Sequence, residues 1–137
     1  MKKYTILLAV SALLLLLAAC GGTAEPTGPE PVSLTFTGGD EFRYDPDSAT
    51  VASGADMTVT YENVGALEHN WLLISDRIDP LEATEADAIG GATSGVIPGG
   101  TSATFNFVAP PAGDYQYVCT VPGHAAAGMV GTLTVTP

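Results

Sequence analysis

Tyr115-Gln116-Tyr117-Val118-Cys119-Thr120-Val121-Pro122-Gly123-His124-Ala125-Ala126-Ala127-Gly128-Met129-Val130-Gly131-Thr132-Leu133-Thr134-Val135 holds two runs of one period with a turn between them. Tyr115, Tyr117 and Cys119 alternate with Gln116 and Val118, and Leu133 and Val135 alternate with Thr132 and Thr134. A period of two places every second side chain on one face of a half-buried strand. Pro122-Gly123 turns the chain between the two. Working outward, the same period runs through Val32, Leu34 and Phe36, through Met57, Val59 and Tyr61, and through Ala103, Phe105 and Phe107. Trp71 to Ile74 is continuously apolar, as expected of a strand covered on both faces. Gly38-Gly39-Asp40, Ser53-Gly54, Asn63-Val64-Gly65, Pro98-Gly99-Gly100 and Pro110-Pro111-Ala112-Gly113 punctuate these runs. Residues 32–137 therefore read as an all-β sandwich. One segment departs from the period: Asp79-Pro80-Leu81-Glu82 offers an N-cap, proline at N1 and glutamate at N3, predicting a short helix over about 80–89, ended by Gly90-Gly91.

The 137 residues suffice for one domain and a short appendage. Asp and Glu number 15 against 4 Lys and Arg, for a formal charge of −11. Without Lys2 and Lys3 only Arg43 and Arg77 oppose the fifteen acids, leaving −13. Such a surface repels phosphate backbones, which excludes nucleic acid as a partner. At 46% apolar and 14% charged residues, the chain is no disordered acidic tail either.

The N-terminus reads as an address. Lys2-Lys3 precedes Ile6–Ala19, in which Ser11 is the one polar residue. Fourteen residues at about 1.5 Å each fall short of a ~30 Å hydrocarbon core, so residues 1–19 read as a secretory signal peptide. Leu17-Ala18-Ala19-Cys20 resembles the lipobox of bacterial lipoproteins, which implies a lipid on Cys20; an uncleaved anchor is the alternative. Either places the domain on the extracytoplasmic, periplasmic side of the cell membrane. Residues 20–31 contain three prolines, three glycines and no large apolar residue, the composition of an extended tether. If Cys20 carries lipid, Cys119 has no partner for a disulfide, and a lone thiol in an oxidising compartment requires burial or occupation.

Cys119, His124 and Met129 lie within eleven residues, and the only other histidine is His69, in Glu68-His69-Asn70-Trp71. Two histidines, a cysteine and a weak axial methionine are the ligand set of a blue copper centre. Cu(II) favours tetragonal surroundings, whereas Cu(I) accepts softer, sulfur-rich ones. A trigonal site held by the fold serves both with little movement. Asn70 is the candidate to hydrogen-bond the ligand loop from behind. Trp71 reads as core packing, with electron conduction as a lesser alternative.

Over residues 32–137 the chain resembles the cupredoxins, the plastocyanin and azurin group. Phe42 and Tyr44 before Asp45-Pro46, Val51-Ala52-Ser53-Gly54, and the Asn63 turn ahead of His69-Asn70-Trp71 carry the resemblance with the ligand loop. The interval from Cys119 to His124 is similar to azurin and that from His124 to Met129 to plastocyanin, a combination most similar to the membrane-tethered auracyanin branch. The resemblance implies a Greek-key β-sandwich holding one copper ion through His69, Cys119, His124 and Met129. Glu68 stands where azurin has glycine, which leaves Met129 as the expected sole axial ligand. Ala125, Ala126 and Ala127 supply the small apolar surface through which the histidine edge of such proteins meets its partners.

The expected activity is one-electron shuttling between membrane-associated redox proteins, without enzymatic turnover. The auracyanin likeness implies a quinol-oxidising membrane complex as donor and a c-type cytochrome as acceptor. Copper binding for delivery is the alternative function, though the chain has no methionine- or histidine-rich cluster. A thiol enzyme built on Cys119 and His124 would need a third, orienting group.

Overall fold

A computed structural model describes residues 28–137. The signal peptide over 1–19, Cys20 and the tether as far as residue 27 lie outside the described residues. Residues 28–31, the end of that tether, are exposed. Among the described residues no helix is long and apolar enough to cross a membrane.

Eight strands follow in order: β1 (Val32–Gly38), β2 (Tyr44–Asp45), β3 (Ser48–Ala52), β4 (Asp56–Asn63), β5 (Leu72–Ser75), β6 (Ser102–Val108), β7 (Gly113–Val118) and β8 (Val130–Thr136). They form two four-stranded sheets, ordered β2-β1-β4-β6 and β3-β8-β7-β5. Both sheets are mixed: β1 runs parallel to β4 and β3 parallel to β8, while β4–β6, β5–β7 and β7–β8 are antiparallel. The expected all-β sandwich is the observed fold.

The alternating residues meet between the sheets. Phe36, Met57, Val59 and Tyr61 of the first face Leu73, Tyr117, Leu133 and Val135 of the second, with Trp71 just ahead of β5 among them, all at most 3% exposed. Trp71 lies at the centre, stacked on Tyr117 with ring centroids 5.2 Å apart and in contact with Phe36 and Phe105. Gly131, opposite Tyr117 in the ladder, leaves room for that ring; a Cβ there would lie 2.3 Å from Tyr117 Cζ.

The continuous apolar run is explained by a second, smaller core. Leu72, Ile74 and Val118 point to the outer side of their sheet, where Ile78, Ala83, Ala88, Ala125 and Val130 cover them. The cover contains the segment expected as a helix over 80–89. It folds instead as two 3-10 turns, Glu85–Asp87 and Ile89–Gly91. Asp79 caps a local turn by accepting from the Leu81 N–H at 2.9 Å, but Leu81 is 61% exposed and no apolar stripe extends from it to reward a longer helix. The capping interaction forms further on, where the Asp87 carboxylate accepts from both the N–H and the hydroxyl of Thr84 at 2.8 Å.

Strand direction concentrates the connections at one end. β1 and the parallel β4 finish there at Gly38 and Asn63, while Leu72 of β5 pairs with Val118, the last residue of β7. The segments 39–43, 64–71 and 119–129 therefore leave the sandwich side by side.

Candidate metal centre

Cys119 follows the last residue of β7 and is fully buried. Its backbone N–H donates to the Met129 carbonyl at 3.2 Å, closing the loop that separates them. Within the loop the His124 N–H donates to Val121 O and the Met129 N–H to His124 O, at 3.1 and 3.0 Å. Gly123 and Gly128, with φ of 86° and 110°, supply the left-handed backbone that directs His124 and Met129 inward. His69 enters from the other sheet's connection, held by paired backbone hydrogen bonds with Ile97 of 3.1 and 2.8 Å.

These elements bring together residues separated by fifty positions. Cys119 Sγ lies 3.5 Å from His124 Nδ1 and 3.9 Å from His69 Nδ1, and the two Nδ1 atoms are 3.0 Å apart. Bonds of roughly 2.0–2.3 Å from nitrogen and sulfur to one ion span a triangle of this size. Met129, fully buried, completes the surroundings; its methyl group and the Tyr61 hydroxyl lie 2.9 and 2.8 Å from the space a Cβ on Gly38 would take. The absent side chain at Gly38 thus leaves Met129 its place. Of the four expected ligands, only His124 retains any exposure, 8%.

The surroundings prepare the donor atoms. Asp40 accepts from the N–H groups of Ala66 and Leu67, which hold its carboxyl below the ordinary carboxylate range, and it faces His69 Nε2 at 3.4 Å. A neutral His69 that gives its Nε2–H to Asp40 keeps the Nδ1 lone pair free for a metal. Burial pushes the Cys119 thiol up, opposed by N–H donation from Asn70 and Val121, while Glu85 and Glu68 push it further up. Burial, then the neighbouring His69, holds His124 below the ordinary imidazole range. Two imidazole nitrogens beside a buried sulfur whose anion needs charge compensation form a donor set suited to a soft cation. Phe42, at a φ of 53°, sets its ring against His124 with centroids 4.8 Å apart and screens the cluster.

Asn70 occupies the expected supporting position. Its backbone N–H points at Cys119 Sγ at 3.5 Å. Its side-chain oxygen accepts from the Thr120 N–H at 2.8 Å, and its amide nitrogen donates to Thr120 Oγ1 at 2.9 Å and to the Glu85 carboxylate. The Tyr44 hydroxyl donates to the Asn70 carbonyl.

The plastocyanin/azurin family of copper binding proteins matches residues 31–136. This chain belongs to that family. His69, Cys119, His124 and Met129 accordingly form the ligand arrangement of a cupredoxin with one copper ion. Among curated relatives, auracyanin-A of Chloroflexus aurantiacus is 29% identical over 146 aligned residues, covering 89% of this chain and 90% of that protein. The copper-resistant cuproprotein CopI of Rubrivivax gelatinosus is 31% identical, with 70% of this chain and 61% of that protein covered. Among solved structures, reduced auracyanin from Roseiflexus castenholzii superposes with a TM-score of 0.67 at 30% identity, covering 77% of this chain and 97% of that one. An azurin from Methylomonas sp. strain J gives 0.61 at 26% identity, covering 77% and 98%.

Asp40, Glu85 and Gly38 are parts of the cupredoxin centre that sequence reasoning missed. Gly38-Gly39-Asp40 reads only as a turn, and nothing local to Glu85 announces a contact fifteen residues back at Asn70.

Proposed function

We propose that this protein is a one-electron carrier without catalytic turnover. The buried triangle of Cys119 Sγ and the two histidine Nδ1 atoms is the observation that supports it most. Copper supplies the one-electron couple. The polypeptide supplies donors already gathered in the folded chain, so little has to move when an electron arrives or leaves. His124 is the route outward, being the only one of the four that reaches solvent, with Ala126 and Ala127 exposed beside it. A small apolar surface of this kind supports brief docking.

The partners we assign are redox proteins at a membrane: a quinol-oxidising complex as donor and a c-type cytochrome as acceptor. The cleft beside the centre is lined by four acids, Asp40, Glu41, Asp45 and Asp47, against the single base Arg43, a balance that favours a basic partner. Lipid on Cys20 would hold the carrier on the extracytoplasmic face of the cell membrane, with the tether giving it reach. Mass spectrometry of the native N-terminus tests the anchor: a diacylglyceryl-modified Cys20 as first residue is expected, and an unmodified Cys20 within an uncleaved chain would refute it.

The likeness to a copper-resistance protein favours a second reading, copper binding without electron traffic. An optical titration separates the two. The copper-loaded protein is expected to be intensely blue from thiolate-to-Cu(II) charge transfer and to bleach and recover through repeated reduction and oxidation. Loss of the metal at each reduction would favour the second reading. Cys119→Ser should abolish the colour, and Met129→Leu should retain it with a shifted potential.

A further inference from the structure

The 3-10 segment covering the smaller core reaches the metal centre through one side chain. Glu85 sends one carboxylate oxygen to the Asn70 amide nitrogen and the other to the Thr93 hydroxyl, at 2.9 Å for the latter. Both its ends are held. Asp87 clamps Thr84 through two hydrogen bonds of 2.8 Å, and the Asp87 N–H donates to Thr84 O at 3.0 Å. On the receiving side, Thr93 Oγ1 also accepts from the Gly95 N–H at 2.9 Å, and Leu72 and Thr93 form a β-bridge. The carboxylate is therefore placed by the fold.

Asn70 is where this placement acts. An asparagine amide can turn about its terminal torsion, and the pairing with Thr120 requires one orientation: oxygen toward the Thr120 N–H, nitrogen toward the Thr120 hydroxyl. A carboxylate only accepts, so Glu85 demands nitrogen on its side and excludes the reversed amide. Thr120 is the residue next to Cys119, and the Asn70 backbone N–H faces the sulfur, so the orientation is passed to the ligand on both flanks. The same carboxylate adds a negative charge near the centre, and negative charge favours the more positive oxidation state of an enclosed ion.

We infer that Glu85 is a positioning and charge-setting residue of the copper centre, orienting the Asn70 amide that braces the Cys119 strand end and holding the reduction potential down. This rests on the copper assignment, and it makes the 79–93 insertion part of the site as well as a cover for the core.

The test compares Glu85→Gln with Glu85→Ala in two measurements. In the copper-free protein, hydrogen exchange at the Thr120 amide should be accelerated about tenfold in Glu85→Ala and by less in Glu85→Gln, whose amide oxygen can still accept from Asn70 although its NH2 no longer excludes the reversed amide. In the copper-loaded protein, both substitutions should shift the equilibrium with a one-electron reference couple toward Cu(I) by three- to tenfold, tenfold being about 59 mV. Because the carboxylate is solvent-accessible, that shift should shrink as salt is raised. A Glu85→Gln redox equilibrium constant within threefold of wild type at low salt would overturn the charge role, and unaltered Thr120 exchange in Glu85→Ala would overturn the positioning role. A wild-type protein that never turns blue would instead break the copper assignment, while the exchange comparison would still decide the positioning role.

Discussion

Replacing Asn70 by alanine removes the side chain that joins the two ligand-bearing segments. Asn70 is fully buried, and its amide makes three hydrogen bonds: from Thr120 N–H at 2.8 Å, to Thr120 Oγ1 at 2.9 Å and to Glu85. A net contribution of about 1 kcal/mol for each, and more for the one to a charged group, places the loss near 3 kcal/mol. The truncation also leaves the Thr120 N–H without its acceptor, which adds to the cost. For a domain of about 100 residues, 1 kcal/mol corresponds to roughly 4–8 °C in Tm, so a fall of about 12–24 °C is expected. Thermal unfolding of the copper-free protein is the proper assay, because bound metal would add its own stabilisation to the native state. Thr120→Val, which loses only the hydroxyl contact, should cost about 1 kcal/mol, and combining the two should be less than additive because they share a bond. A loss below about 1 kcal/mol for Asn70→Ala would refute the view that this amide ties the segments together.

Acid should destabilise the copper-free domain through His124. Its folded-state value lies below the ordinary 6.5, so the unfolded chain binds the proton more readily. The associated stability is complete above pH 6.5 and is lost as pH falls through the folded value; His124→Gln should flatten that part of a Tm-against-pH curve, and an unchanged slope would contradict the assignment. At the opposite face of the core, Gly131→Ala sets a methyl group into the Tyr117 ring, which is itself packed against Phe36, Tyr44 and Trp71. Displacing Tyr117 from its stack on Trp71 should cost about 3 kcal/mol or more by overpacking, readable in chemical denaturation. If instead the variant is as stable as wild type, the close packing of these two strands is not as described.

The parts of the centre readable from sequence were those carried by neighbouring residues. Cys119, His124 and Met129 share one loop, so their spacing alone states what they can hold. His69 was legible because the chain has no other free histidine to offer and Asn70-Trp71 follows it. The 80–89 segment shows where local signals mislead: its capping residues are real, but a helix also needs an apolar face with something to cover, and this cover is supplied by Ala83, Ala88 and Ile78 without a continuous stripe. Asp40 and Glu85 carry no sequence mark distinguishing them from the other acids of a strongly acidic surface.

Periodicity and residue chemistry, which act over a few positions, determined by themselves that this chain makes a two-sheet sandwich and which atoms could bind a soft cation. Tertiary structure alone decided that donors fifty residues apart stand 3.0–3.9 Å from one another, that three of the four expected ligands are sealed from water while His124 is not, and that Asp40 and Glu85 face the site. The reason lies in how strands are packed. Pairing register and the approach of the two sheets set distances between segments that have no short-range relation along the chain.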